Sequence, residues 1–179
     1  MAEPKPFRPV KLVCGIIAAE DAVFEEAERR IAALYGELDS RSEKFAFSFT
    51  DYYRPEMGPH LRRGFVSFAP LADPERLSEI KLRTNALEQD IRTTLQAEGR
   101  IVNLDPGFLT AAALIMATAK DFSHRVPLRD GIYAHLEFLF SKRKLRLLPW
   151  TYPDFSQKGY ETYFLAVRGL YLRQLRSAG

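Results

Sequence analysis

Apolar positions along this chain fall into short patterns with two different periods. Residues 10–18 (VKLVCGIIA) are a near-continuous apolar run rich in Val and Ile, which predicts a strand buried on both faces. Asp21 then offers an N-cap. Phe24, Ala27, Ile31, Leu34 and Leu38 follow at helical spacing, and Gly36 supplies a stop. Residues 43–49 (EKFAFSF) alternate, with Phe45, Phe47 and Phe49 on one face of a predicted strand. After a loop at 50–60 (TDYYRPEMGPH), residues 61–69 (LRRGFVSFA) read as another strand. Asp73 at N-cap and Pro74 at N1 open a second helix, whose stripe runs Leu77, Ile80, Thr84, Leu87, Ile91, Leu95 until Gly99. Residues 100–104 predict a short strand, closed by Asp105-Pro106-Gly107 as a turn.

The order strand, helix, strand, strand, helix, strand is the split βαβ, or ferredoxin-like, arrangement, here spanning residues 10–105 with short connections. Right-handed crossovers would give the spatial order 4-1-3-2, with both helices on one face. Beyond it the pattern predicts a turn at 110–113 and a strand at about 114–119. An alternating strand follows at 131–140, in which His135 and Glu137 share a face with Tyr133, suited to a ligand pair beside the ring but read in preference as a solvated face. A basic turn at 141–144 leads to a returning strand at 145–148. Trp150, Tyr152 and Phe155 then form a proline-braced aromatic lid over the core. A final helix from 156 or 157 carries Tyr160, Tyr163, Phe164, Val167, Leu170, Tyr171 and Leu175. The expected fold is therefore α+β: a core at 10–105 extended by C-terminal strands and a last helix. Residues 10–176 read as one domain, preceded by a loose arm at 1–9 that holds three prolines.

Length and composition agree with a globular chain. The 179 residues are 46% hydrophobic and 27% charged, which excludes disorder throughout. The longest apolar run, at 109–119, has 11 residues, far short of the roughly 18 that a membrane span needs. The start MAEPKPFRP lacks the apolar stretch of a signal peptide, so a cytoplasmic setting is expected. Cys14, the single cysteine, sits inside an apolar run and reads as a buried small hydrophobe, without a disulfide or a Cys-rich zinc site. Charge is uneven: residues 1–100 carry 15 Lys/Arg and 17 Asp/Glu, whereas 101–179 carry 11 and 6. The basic excess of the second part is compatible with an anionic partner.

Several stretches occur together: residues 49–58 (FTDYYRPEMG), 102–109 (VNLDPGFL), 117–125 (ATAKDFSHR), 130–134 (DGIYA) and 148–154 (LPWTYPD). In this combination the chain resembles a bacterial family of conserved cytosolic domains of unassigned function, from about residue 8 to 176. The resemblance implies no mechanism. It implies an acidic residue where this chain has His135, which weakens any scheme that needs a carboxylate there.

Two groups of residues carry candidate chemistry. Asp51 and Glu56 stand between aromatics on the 50–58 loop, where two carboxylates can hold a hard cation or act as acid and base; Tyr53 lies beside them as a ligand-binding residue. Lys120, His124 and Arg125 form a compact basic group: Lys and Arg to grip phosphate or carboxylate, and His to move a proton near neutral pH. Histidines 60, 124 and 135 lack metal-ligand spacing, so no metal site is expected, and no cofactor is implied. There is no G-x-x-x-x-G-K-[ST], which excludes a Walker-type phosphate loop. The basic run Lys142-Arg143-Lys144 with Arg146 lacks interleaved aromatic motifs and reads as a guarded hairpin tip, so nucleic acid is not an expected partner. In the 4-1-3-2 sheet, Asp51 and Asp105 fall at opposite ends. The 50–60 loop and the 120–125 group fall at one end, about 19 Å apart over four strand spacings, unless the loop bends inward. The first expectation for function is a domain that binds, with or without turnover, a small anionic metabolite or nucleotide. The second is a non-catalytic regulatory or protein-interaction domain, dimeric through a sheet face or edge.

Overall fold

The computed structural model describes residues 3–142 and 144–177. Arg143 of the expected basic turn, and residues 1–2 of the expected arm, lie outside the described residues. Among the described residues nine strands form one antiparallel sheet: β1 Val10–Ala18, β2 Leu38–Arg41, β3 Phe45–Ala46, β4 Arg62–Ala72, β5 Val102–Leu109, β6 Ala113–Thr118, β7 Val126–Pro127, β8 Tyr133–Phe140 and β9 Leu145–Leu147. Their order is β2-β4-β1-β5-β6-β8-β7, with β3 also on β4 and β9 also on β8. The helices are α1 Asp21–Tyr35, the single turn α2 Arg54–Met57, α3 Leu77–Thr94 and α4 Lys158–Ser177.

β1 is buried along its whole length, and its alternation divides the core. Leu12, Cys14, Ile16 and Ala18 pack with Phe24, Ala27 and Ile31 of α1 and with Ile80, Leu87 and Ile91 of α3. Val13 faces the other way, into an aromatic cluster of Phe65, Phe138, Phe155, Tyr160, Phe164 and Tyr171. Thus α1 and α3 cover one face and α4 the other, each burying an apolar stripe.

Local sequence chemistry explains the element ends, with some departures from the pattern. Asp73, expected to cap the second helix, caps instead the 3-10 turn Pro74–Arg76 that leads into α3, accepting from the Glu75 N–H at 2.9 Å. Glu20, not Asp21, is the N-cap of α1, and the Asp21 carboxylate turns instead to Lys44 and Arg62. Of the strand expected at 43–49 only Phe45–Ala46 forms, as β3, and β2 forms ahead of it at Leu38–Arg41, so that Leu38, expected on the first helical stripe, stands on a strand past the Gly36 stop. Between them Ser42 accepts the Phe65 N–H on its hydroxyl while its own N–H donates to the Phe65 carbonyl, both at 2.8 Å, so a side chain replaces part of the ladder. The turn expected at Asp105-Pro106-Gly107 is the middle of β5, where these residues pair with Gly15, Cys14 and Val13. Pairing to β1 overrides the local turn preference of that tripeptide.

The expectation of a solvated face for His135 and Glu137 is also overturned: both are buried, at 2% and 0% exposure. A register shift causes this. Ile115 opposes Leu136 and Leu114 opposes Phe138, so Glu137 is an extra residue on β8 and is turned inward. Of the aromatic lid, only Phe155 enters the core; Trp150 and Tyr152 are partly exposed.

Candidate functional site

β5 pairs with β1 along its full length but with β6 only from Gly107 to Leu109. Before Gly107 the two strands run on without pairing to each other, and a cavity of about 390 Å³ opens there. Its wall takes Asn103 and Asp105 from β5, Ala117 and Thr118 from β6, His135 and Glu137 from β8, and Lys81 and Asn85 from α3. The 47–53 segment covers it with Phe47, Phe49, Tyr52 and Tyr53. That segment is held down where Phe47 and Met57 pack against Ile17 and Leu61.

A buried charge network forms the floor. The Arg63 guanidinium lies across Gly15 and over the Phe65 and Phe155 rings, 5.0 Å from each centroid. It donates to Asp154 at 2.6 Å and lies 3.4 Å from Asp105. Burial opposes its charge, but Asp154 and Asp105 outweigh that and raise its pKa further. Lys81 donates to the Leu104 carbonyl at 2.7 Å, with its Nζ 3.7 Å from Asp105. Loss of water pushes Asp105 upward, yet Lys81 and Arg63 together hold it below the usual carboxylate range. Glu88 accepts from the Leu104 N–H at 2.7 Å and from Arg100 at 2.8 Å; burial nevertheless raises its pKa. Arg100 also donates to Asn103 and stands 5.4 Å from the centroid of the Tyr53 ring.

The opposite wall is built on β8. Glu137 accepts the Tyr152 N–H at 2.7 Å through Oε1. Its Oε2 lies 3.1 Å from His135 Nε2, but neither atom has a hydrogen-bond partner, because the two are out of line. Nδ1 of His135 accepts from Arg125 Nε at 3.3 Å and lies 3.1 Å from His124 Nε2. His124 in turn stacks on Trp150, centroids 5.0 Å apart and planes 11° from parallel. Burial, then the nearby His135 and Arg125, depress the His124 pKa below its ordinary value. Arg125 is braced by the Lys120 carbonyl at 2.7 Å and the Tyr152 hydroxyl at 2.8 Å.

The six residues singled out from the sequence fall into three places. Tyr53 and Lys120 line the cavity, the Lys120 ammonium 3.5 Å from the Tyr52 ring centroid. The loop therefore does cross the sheet and meets the 120–125 segment. His124 and Arg125 stand behind His135, outside the lining. Asp51 and Glu56 also stand outside it: Asp51 is largely exposed beside Arg54 at 3.5 Å, and Glu56 reaches Arg100 at 4.0 Å. Asp105, read as belonging to the far end of the sheet, lines the same cavity as Tyr53. Among the described residues, no group of three or more His, Cys, Asp or Glu is placed to hold a metal ion.

A family model described as "Domain of unknown function (DUF4416)" matches residues 8–171. The chain belongs to this family. Curated proteins and solved structures return no match to it. What can be said of chemistry in this DUF4416 domain therefore comes from the side chains themselves. Sequence reasoning missed Arg63, Lys81, Glu88 and Asp154. A signal for three of them exists: Arg63 interrupts an apolar strand, and Lys81 and Glu88 fall on the same helical stripe as Leu77, Thr84 and Ile91.

Proposed function

We propose that the cavity binds a small anionic metabolite or nucleotide. One observation carries this reading: His135 Nε2 and Glu137 Oε2 are buried without hydrogen-bond partners in residues that line a cavity of ligand size. Buried polar atoms are normally paired, and leaving each unpaired costs about 1–3 kcal/mol. A ligand that pairs them recovers that cost. The anionic end belongs with Lys120 and Arg100. Lys120 has no carboxylate within ion-pair distance among the described residues, and Nη1 of Arg100 has only Glu56 at the 4.0 Å limit. Tyr53, with Phe47 and Tyr52 tilted against it, offers aromatic surface. His124 and Arg125 act from behind, by orienting His135. Asp51 and Glu56 have no acid–base role in this reading.

The continuous sheet supports taking residues 10–176 as one domain after an arm at 1–9. The run β2-β4-β1-β5, with α1 and α3 on one face, supports a ferredoxin-like split βαβ unit within it. No helix among the described residues is long and apolar enough to cross a membrane, and the one cysteine is buried and free; both fit a cytoplasmic, reducing setting.

Thermal unfolding in the presence of nucleotides, sugar phosphates and inorganic phosphate tests the reading. A bound anion at a hundred times its Kd adds about 2.7 kcal/mol and raises Tm. Lys120→Ala and Arg100→Ala should each abolish that rise. No response to any anion, with unchanged melting of both variants, would point to the non-catalytic interaction domain instead.

A further inference from the structure

We infer that His135 and Glu137 read the hydrogen-bonding edge of a heterocyclic base, so that the occupant of the cavity is a nucleotide and not a base-free sugar phosphate. The inference rests on the anion-binding reading above and narrows it.

Arg125, outside the cavity lining, sets the tautomer of His135. An arginine keeps all its protons, so its Nε–H donating to His135 Nδ1 fixes that nitrogen as an acceptor. The ring proton of neutral His135 is then on Nε2. Across from it, Glu137 uses Oε1 for the Tyr152 N–H, which leaves Oε2 as an acceptor. The inward turn of Glu137 on β8 brings these atoms to 3.1 Å from each other. The result is one donor and one acceptor, side by side, both buried and both unpartnered, on two residues that line the cavity.

Chemistry at this wall excludes the charged end of the ligand, because an anion placed against Glu137 would meet a carboxylate. The ligand must carry its negative charge toward Lys120 and Arg100 and present a neutral group with an adjacent donor and acceptor toward His135. The pairing edge of a nucleobase has that arrangement, and proteins commonly read unpaired bases by hydrogen bonds to this edge together with aromatic contacts. Aromatic surface is at hand: the Tyr152 ring lies 5.3 Å from the His135 ring, and Tyr53 and Phe47 line the same space.

Calorimetric titration of the full chain with the 5′-monophosphates of adenosine, inosine, cytidine and uridine, and with ribose 5-phosphate, tests this. At least one nucleotide should bind ten-fold or more tightly than ribose 5-phosphate. Methylation of the pairing edge of that base should erase the gain. Glu137→Gln should bring the ratio of nucleotide to ribose 5-phosphate affinity down to about one, a change that a general packing defect, which weakens both alike, does not produce. Should Glu137→Gln fail to fold, the methylated nucleotides on the unaltered chain decide alone. Equal affinity for ribose 5-phosphate and every nucleotide, or equal weakening of both by Glu137→Gln, overturns the edge reading and leaves the anion reading standing. Binding of none of the five compounds overturns both.

Discussion

Arg63 is the residue on which the site most depends. It sits near the start of β4, where Gly64–Phe68 after it are buried, over a glycine whose missing side chain makes room for it: a Cβ on Gly15 would lie 3.2–3.3 Å from the guanidinium and from Phe65. Its two carboxylate partners come from opposite parts of the chain, Asp105 and Asp154. Arg63→Leu takes the guanidinium from buried Asp154 and leaves Asp105 with Lys81 alone, and breaking a buried pair from one side costs about 3–5 kcal/mol. By contrast, Lys158→Ala breaks an exposed pair with Glu161 and should cost under about 1 kcal/mol. Urea unfolding of the two variants checks both figures. An Arg63→Leu loss as small as that of Lys158→Ala would mean the network is not a structural floor. At this scale the sequence was half legible. Tyr53 and Lys120 stand out as unusual residues on loops and do line the cavity. His135 and Glu137 were hidden because strand alternation assigned them to water, and one extra residue on β8 reverses that assignment.

Among the elements, β5 shows how tertiary pairing overrides a local signal. Asp105-Pro106-Gly107 has turn chemistry, yet β1 holds it extended, and β6 then closes on it at Gly107. A Cβ at position 107 would come within 2.6 Å of the Ile115 carbonyl oxygen and of Met116 Sδ. Gly107→Ala must therefore push β5 and β6 apart where the fork of the cavity begins. We expect a loss of about 1–3 kcal/mol, as for other overpacked cores, read as a lower urea midpoint. Unchanged stability would show that the two strands do not approach as closely as that. The long periodic elements β1, α1, α3, β8 and α4 were legible from the sequence, since burial on a fixed face imposes a period. β2 and β3 were not, because the hydroxyl of Ser42 interrupts the ladder between them.

For the molecule as a whole, the sheet has two apolar faces and needs cover on both. α1 and α3 supply one; α4, the last element, supplies the other through Tyr160, Tyr163, Phe164, Val167 and Tyr171. Removal of residues 158–177 uncovers Val13, Phe65, Leu114 and Phe138. Such a truncated chain should lose sharp thermal unfolding and bind a hydrophobic dye, as loosely packed compact states do. A truncated chain that still melts cooperatively would assign α4 a dispensable role.

The sequence by itself determined the long elements β1, α1, α3, β8 and α4, and that one strand is buried from both sides, because a sustained period records how an element divides between core and water. It did not determine which polar side chains meet. Arg63, Asp105, Lys81, His135, Glu137 and Asp154 come from five separate elements, and no period within any one of them encodes their distances. Only the strand order, the fork between β5 and β6 and the register shift on β8 bring them around one cavity. These depend on pairing between segments far apart along the chain.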